Sequence, residues 1–295
     1  MRISKLLTLF ILGVSFSNPS LCTESSEVVF KLMNYNVKGT PVFWYWHFRH
    51  KYIGKYLLNL KSKEQGASLI SFQEMMHRKT SKIHKIAGYK YRDRGPKGRG
   101  LKISSGLEIV SDFEFIKKNQ LKFIKCSGFD CLSKKGVQHV RVRVPNLPFP
   151  IDIYNTHLNA GQGRHHMTRY SQILELISFI KATRDPNIPI FIMGDFNFKQ
   201  NDFEYEVLTK MIDLKNAAHS CGVLQFCDGE DDPFDIWKNY LIDHQFYSNG
   251  KSGKVTVTPI FYKHYFTNTK VGKFKKVPLS DHPGVVAHYR ILYAE

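Results

Sequence analysis

Short apolar runs alternate with amphipathic stretches along most of this chain. Residues 67–73 and 189–193 are short and largely apolar, which is typical of buried strands, and residues 28–37 form another predicted strand. Residues 49–60 and 168–181 instead carry apolar side chains at helical spacing. The pattern also predicts strands at residues 105–111, 136–144, 151–157, 240–247, 254–260 and 284–292, and a helix at residues 202–211.

The order of these elements favours one domain of mixed α/β type. No internal repeat and no Pro/Ser-rich linker divides the chain, so we expect a single domain over residues 23–295. Many strands with interspersed helices are typical of sheets that pack face to face with helices outside them. A hydrophobic content of 42% over 295 residues is enough to bury a core of normal size.

The formal net charge of +18 favours a polyanionic partner, because Lys and Arg attract phosphate-rich surfaces. A nucleic acid and an anionic phospholipid membrane surface both fit this charge, and the charge does not choose between them. A basic protein without such a partner is the third interpretation. The sequence indicates no organic cofactor, and it does not indicate an oligomeric state.

The first residues have the pattern of an export signal. Arg2 and Lys5 precede an apolar run over residues 6–16, and small or polar residues then offer a cleavage point within residues 21–25. The apolar run is shorter than the ~20 residues that a transmembrane helix needs. We therefore expect a signal peptide over residues 1–22 and secretion to an extracellular or periplasmic compartment. A lipid anchor on Cys22 is the weaker alternative, because the preceding residues match a lipidation site poorly.

Four cysteines follow the predicted signal peptide, and they allow three disulfide pairings. The pairs closest in sequence, Cys126–Cys131 and Cys221–Cys227, are favoured. No second CxxC or HxxxH element accompanies them, so we do not expect a zinc site. The disulfides are expected to tie down loops.

Polar side chains follow several predicted strands, where a rigid scaffold can project them into a cleft. Each one alone is more often a turn former or a structural histidine. Together, their carboxylate and amide oxygens suit Mg²⁺, with Mn²⁺ or Ca²⁺ as alternatives, and two histidines can share proton transfer and phosphate stabilisation. These residues are Asn36, Glu74, His157, Asp195, Asn197, Asp243, Asp281 and His282.

Six segments around these residues resemble, in order and separation, the motifs of the endonuclease/exonuclease/phosphatase superfamily. They are residues 33–37 (Met-Asn-Tyr-Asn-Val), 71–75 (Ser-Phe-Gln-Glu-Met), 154–160 (Tyr-Asn-Thr-His-Leu-Asn-Ala), 194–197 (Gly-Asp-Phe-Asn), 241–244 (Leu-Ile-Asp-His) and 279–283 (Leu-Ser-Asp-His-Pro). The resemblance implies a four-layered α/β sandwich of two packed mixed β-sheets flanked by helices. It also implies an active site at one edge of the two sheets.

The resemblance further implies roles for the matching residues. Glu74 is expected as the main metal ligand with Asn36 beside it, and His282 as the base that takes a proton from water, oriented by Asp281. Because neighbouring residues in a strand point to opposite faces, the pair at 281–282 is expected in a turn. A cation on a phosphate oxygen would neutralise the charge that repels a nucleophile.

The same resemblance extends to the other polar residues. Asp195 and Asn197 match the pair that positions the nucleophile and the phosphate. His157 matches the histidine that hydrogen-bonds the scissile phosphate or assists the leaving oxygen, and Asp243 matches an aspartate of the same polar cluster.

Three short segments resemble the neutral and bacterial sphingomyelinase branch more than the nucleases. They are residues 39–41, 105–111 and 135–137, the last followed by the His157 segment. The aromatic residues within 43–48 also suit the headgroup region of a bilayer, although they fit a helix start in the core equally well. The favoured substrate is therefore sphingomyelin or a related phospholipid.

A secreted endonuclease that acts on DNA or RNA is the serious alternative. Basic residues with interleaved tyrosines surround the loop at 95–100, and a second basic loop lies at 270–276. Flexible basic loops beside a catalytic edge could grip phosphates, although a solvated charged surface explains each of them as well. A non-catalytic toxin or binding subunit on the same fold is the lesser alternative.

Overall fold

The computed structural model describes residues 25–41, 47–98, 100, 103–224, 241–273 and 276–294. The predicted signal peptide, the aromatic residues 43–46, Cys227 and the basic residues Arg99, Lys102 and Lys275 lie outside this part of the chain. The helices are α1 (Arg49–Ser62), α2 (Ser81–Ala87), α3 (His165–Thr183), α4 (Phe203–Ile212) and α5 (Ala217–Leu224).

The strands follow the chain in this order: β1 (Ser25–Asn36), β2 (Leu69–Gln73), β3 (Tyr91–Arg94), β4 (Glu108–Ser111), β5 (Glu114–Lys122), β6 (Gly136–Arg143), β7 (Ile151–His157), β8 (Ile190–Asp195), β9 (Lys215–Asn216), β10 (Asp243–Ser248), β11 (Val255–Tyr265), β12 (Lys270–Val271), β13 (Val277–Pro278) and β14 (Gly284–Ala294).

Two six-stranded sheets form the centre of the molecule. The first has the order β11-β14-β1-β2-β4-β3, and the second has the order β5-β6-β7-β8-β10-β9. β1 pairs in parallel with β2, and β7 pairs in parallel with β8, while their other partners are antiparallel. Both sheets are therefore mixed, as the family resemblance implied.

Apolar side chains on alternating strand positions divide the molecule into four layers. Between the sheets, Phe30 of β1 packs on Phe191 of β8 with ring centroids 5.5 Å apart. The outer face of the first sheet is covered by α1, through Ile53 and its neighbours. The outer face of the second sheet is covered by α3, through Ile173 and its neighbours. The predicted α/β sandwich with flanking helices is confirmed.

The inward faces of the strands change from apolar to polar towards one edge. In β1, Phe30 and Leu32 face the other sheet among apolar side chains, and Asn34 follows at the next inward position. In β7, Ile151 and Ile153 are followed by Asn155. Alternate residues of a strand point to the same face, so these polar side chains also point into the space between the two sheets.

Buried amides connect the sheets across this polar layer. The Gln73 side-chain amide donates to Asn34 Oδ1 and to Asn155 Oδ1, each at 2.8 Å. Asn155 in turn donates to the carbonyl oxygen of Phe72 at 3.0 Å. All three amides are fully buried. Their mutual hydrogen bonds therefore fix how the first sheet lies against the second.

Several predicted elements differ from the structure. The strand expected at 105–111 begins only at Glu108, because Gly106 adopts a positive φ of 72° that breaks the extended backbone. The basic loop at 270–276 is partly a short hairpin of β12 and β13. β3, β5, α2 and α5 were not predicted. β5 is mostly exposed and polar, so it carries little apolar periodicity.

The predicted disulfide Cys126–Cys131 is present. Cys221 is also disulfide-bonded, but Cys227 lies outside the described residues, so its predicted pairing with Cys221 stays a prediction. Within the described part of the chain, no helix is both long and apolar enough to cross a membrane.

The buried amide network leads to a stability prediction. Asn155→Ala leaves one N–H of the Gln73 amide without its acceptor and removes a hydrogen bond to the Phe72 carbonyl oxygen, so we expect a loss of roughly 1–3 kcal/mol in the free energy of unfolding. Urea denaturation measures this loss. The matched control Asn187→Ala alters an exposed turn and should change the free energy by less than about 0.5 kcal/mol. Equal effects of the two substitutions would contradict the role of the network.

Candidate active site

Strand ends from both sheets meet at the polar edge. Asn36 is paired with Gln73 in the first sheet, and Asp195 is paired with both His157 and Asp243 in the second. β1, β2, β7 and β8 end at this edge, whereas β10 begins there. The strand register therefore brings together side chains that are far apart in sequence.

Glu74 follows β2 in an unusual backbone conformation, with a φ of 59°. Two glycines make room for it. A Cβ on Gly39 would lie 2.4 Å from the Glu74 carbonyl oxygen, and a Cβ on Gly106 would lie 2.9 Å from the Glu74 Cα. The Met75 amide also donates to the Gly106 carbonyl oxygen at 2.8 Å. Surrounding contacts thus hold Glu74 in a sparsely populated conformation that aims its carboxylate at the polar edge.

Asn36 joins the two acidic groups of the site. Its side-chain nitrogen donates to Glu74 Oε1 at 3.2 Å and to Asp195 Oδ2 at 2.9 Å. Its side-chain oxygen accepts the backbone N–H of Lys38 at 3.0 Å. In this arrangement Asn36 positions Glu74 and Asp195 across the gap between the sheets.

His282 lies in a turn before β14, as expected, but its carboxylate partner is not the predicted one. His282 Nδ1 contacts Asp243 Oδ2 at 2.6 Å. Asp281 instead forms an ion pair with Lys38. The expectation that Asp281 contacts and orients His282 is therefore wrong, since Asp281 pairs with Lys38 and Asp243 lies against the ring instead.

His157 and Asn197 complete the contacts of Asp195. His157 Nε2 lies 3.4 Å from Asp195 Oδ2, and the Asn197 amide N–H donates to Asp195 Oδ1 at 3.1 Å. His157 Nδ1 is buried and has no hydrogen-bond partner among the described residues. Burial also lowers the pKa of His157 well below its usual value, so the ring is neutral. A neutral ring at this position can hydrogen-bond but supplies no charge.

Lys135 is a site residue that was not predicted from the sequence. Its ammonium is buried, donates to the Leu158 carbonyl oxygen at 2.7 Å and lies 3.0 Å from Asp130 Oδ2. Its positive charge opposes the effect of burial on the pKa of Glu74 and of Asp195. Asn34 and Gln73 were also missed. A polar residue inside an apolar strand was the available signal for both.

Burial and mutual repulsion control the protonation of the acidic groups. Burial raises the pKa of Glu74, and burial together with the charge of Asp243 raises the pKa of Asp195 to about 7. Burial opposes the charged form of His282, but Asp243 and Asp195 outweigh it and raise the pKa of His282 to about 10. His282 can therefore act as a base only when the negative charge beside it is offset.

The donor set fits a hard divalent cation. Burial disfavours the charged form of the Glu74 carboxylate, and the neighbouring donors and positive charges offset this only in part. Asp195, Asp243 and His282 place ligand atoms within 4.8 Å of one another. A cation held by both Glu74 and the Asn36 oxygen requires the Asn36 amide to turn over, since its nitrogen now faces Glu74. The predicted ligand role of these two residues stays a prediction.

A second group of metal-ligand types lies outside this edge. His166, Asp202 and Glu204 also place their ligand atoms within 4.8 Å of one another. Arg169 is fully buried, however, and its Nε lies 3.1 Å from Glu204 Oε1. The carboxylate is thus already neutralised, and this cluster is explained as a buried ion pair.

Comparison with known proteins identifies the family. Residues 33–282 match the model of the Endonuclease/Exonuclease/phosphatase family. This match covers most of the chain and contains all of the candidate residues named above. The chain belongs to this family.

Two bacterial sphingomyelinases are among its sequence relatives. The sphingomyelinase of Mycobacterium tuberculosis is 27% identical over 207 residues, which are 64% of this chain and 38% of that protein. Sphingomyelinase C of Listeria ivanovii is 28% identical over 129 residues, which are 42% of this chain and 38% of that protein. The matched region spans well under half of either relative.

Solved structures share the fold. Beta toxin from Staphylococcus aureus superimposes with a TM-score of 0.66 at 17% identity, over 90% of this chain and 100% of that chain. Sphingomyelinase C from Streptomyces griseocarneus gives a TM-score of 0.66 at 17% identity, over 88% and 99% of the two chains. At this identity, the likeness establishes the architecture.

The contact between His282 and Asp243 leads to a testable pKa prediction. Asp243→Asn removes a negative charge beside the ring, so we expect the pKa of His282 to fall from about 10 by about 1–3 units. NMR titration of the histidine ring protons in metal-free protein measures the pKa. Asp281→Asn is the matched control and should have a smaller effect, since Asp281 pairs with Lys38. A larger effect of Asp281→Asn would restore Asp281 as the partner.

The glycine contact with Glu74 leads to a second prediction. Gly39→Ala places a Cβ against the Glu74 carbonyl oxygen and must shift the backbone there, so we expect Mg²⁺ binding to weaken by about tenfold or more. Isothermal titration calorimetry with Mg²⁺ measures this. Gly163→Ala is the control, because nothing lies within 4 Å of its Cβ position, although the positive φ of Gly163 adds a backbone strain that Gly39 does not have. Unchanged Mg²⁺ affinity in Gly39→Ala would argue that Glu74 is not a ligand of the cation.

Proposed function

We propose that this chain is a metal-dependent phosphodiesterase that hydrolyses the phosphodiester of sphingomyelin or a related phospholipid. The observation that carries the proposal is the meeting of Glu74, Asn36, His157, Asp195 and the His282–Asp243 pair at one sheet edge. Named sphingomyelinases among the sequence relatives favour the phospholipid over other phosphodiesters.

The residues divide the work of hydrolysis among them. His282 takes the proton from the attacking water, and Asp243 holds its Nδ1 so that Nε2 faces the water. Asp195, held by the backbone N–H of Asn197, orients that water. His157 is neutral and donates a hydrogen bond to the phosphate or the leaving oxygen. Lys135, whose ammonium donates to the Leu158 carbonyl oxygen, adds positive charge next to the site.

The proposed cofactor is Mg²⁺ at Glu74 and Asn36, with Mn²⁺ or Ca²⁺ as alternatives. When bound, a divalent cation withdraws charge from the phosphate oxygens. Oxygen ligands, and a carboxylate whose pKa is raised by burial, suit such an ion. A solved beta toxin from Staphylococcus aureus with this fold contains bound magnesium ions.

A nuclease is the second candidate function, and one cavity favours it. A cavity of about 440 Å³ adjoins Glu74 through Met75 and Gly106, and Arg78, Arg94 and Lys97 are among its lining residues. These cations suit the phosphates that flank a scissile bond in a nucleic acid. A zwitterionic choline headgroup has no second anionic group to fill this cavity.

Parallel assays separate the two functions. We expect the purified protein with Mg²⁺ to release phosphocholine from sphingomyelin vesicles, to lose this activity in EDTA and to leave plasmid DNA intact. Nicked plasmid with uncleaved lipid would instead establish the nuclease.

Substitutions in the same assay test the residues. His282→Ala should lower the rate by about 10²–10⁴-fold, because it removes the base, and Glu74→Ala should remove the response to Mg²⁺. His219→Ala is the control, because His219 is exposed and lies outside the site. Full activity of His282→Ala, or full activity in EDTA, would contradict the mechanism.

A further inference from the structure

The loop between β5 and β6 exposes apolar side chains to an unusual degree. Phe129 is 91% exposed, Ile124 is 81% exposed and Leu132 is 60% exposed. The disulfide Cys126–Cys131 closes the loop around Phe129. Single exposed apolar side chains are common on protein surfaces. Three on one short cross-linked loop form a local apolar patch, and such patches are typical of interaction sites.

This loop leaves the second sheet at the polar edge, where the candidate active site lies. Lys122, the last residue of β5, pairs with Gly136, and Val137 pairs with Thr156, the neighbour of His157. The loop therefore projects from the same end of the sheet as His157 and Asp195.

Hydrogen bonds hold the loop against the segment that follows His157. The Ser127 N–H donates to Asn159 Oδ1 at 2.9 Å, and the Ala160 N–H donates to Asp130 Oδ2 at 2.6 Å. Lys135 links Asp130 to the Leu158 carbonyl oxygen, which also accepts from the Asn197 side-chain amide at 3.1 Å. These bonds hold the loop, and the apolar side chains on it, beside the candidate catalytic residues.

The charges around the loop are mainly positive. Lys122 and Lys125 are exposed and Lys134 is half-buried. The carboxylates that face the loop are already engaged: Asp130 pairs with Lys135, and Glu175 accepts the Ile124 N–H at 2.8 Å. Protruding apolar side chains among lysines match a bilayer surface, where the apolar groups enter the acyl region and the ammonium groups reach lipid phosphates.

We propose that the disulfide-closed loop carrying Ile124, Phe129 and Leu132 inserts into a phospholipid membrane. This insertion places the candidate active site at the membrane surface, next to its lipid substrate. The inference rests on the proposed lipid substrate for its purpose, but membrane binding by the loop is measurable without catalysis. Phe129 and Ile124 supply the apolar contact, and the lysines supply attraction to anionic headgroups.

The test is vesicle sedimentation of protein carrying Glu74→Gln, which keeps the lipids uncleaved. Vesicles of phosphatidylcholine and sphingomyelin are compared with vesicles that also contain phosphatidylserine. We expect Ile124→Ser with Phe129→Ser to weaken vesicle binding by at least about tenfold on both, since two apolar side chains are lost. The parent protein should bind the phosphatidylserine vesicles more tightly, and salt should reduce that gain.

Leu58→Ser is the matched control, because Leu58 is 46% exposed on α1, away from the loop, and it should bind vesicles like the parent. Thermal melting checks that both proteins are folded. Vesicle binding by the double variant equal to that of the parent would overturn the proposal. So would a parent dimer in sedimentation velocity that dissociates in the double variant, because a second copy would then cover the loop.

A second readout separates this inference from the proposed function. With Glu74 intact, the double variant should lose hydrolysis of sphingomyelin vesicles but not of detergent-solubilised sphingomyelin. Equal losses on both would show that the loop shapes the active site instead, which contradicts membrane seating. No hydrolysis of either form by the unsubstituted protein would refute sphingomyelin as the substrate, and the sedimentation result would still decide the membrane contact.

Discussion

The requirement that buried amides satisfy one another governs how the two sheets meet. Asn34, Gln73 and Asn155 are fully buried where the inter-sheet core turns polar, and each depends on a partner in another strand. An unpaired amide there costs more than a pair gains, so the sheets have one favourable relative position. That position also sets the distance between Asn36 of one sheet and Asp195 of the other.

A steric constraint beside this polar layer explains why two short segments resembled a particular branch of the family. Residues 39–41 and 105–107 lie on either side of Glu74, and Gly39 and Gly106 supply the space that its left-handed backbone needs. The resemblance in these segments therefore has a steric cause. Positioning this acidic group serves the hydrolysis of either substrate, so the two segments do not by themselves distinguish a phospholipid from a nucleic acid.

Much of the architecture was predictable because strand periodicity is a local property. Ile151–His157 was predicted at its observed bounds, and α1 was predicted from its first residue. The partner of His282 was not predictable in the same way. Asp281 is its neighbour in sequence, but the pairing of Asp195 with Asp243 places Asp243 beside the ring. Contacts between distant residues depend on register, which the apolar pattern of one strand does not specify.

The polar layer that sets the register also creates an electrostatic demand. Glu74, Asp195 and Asp243 lie close together with limited access to water, and burial raises the pKa of both Glu74 and Asp195. In the described part of the chain, Lys135 and the His282 ring are the cations that lower those pKa values. A further positive charge would stabilise the ionised carboxylates. The arrangement that holds the sheets together is thus also one that favours a divalent cation at the edge, where a phosphate can share it.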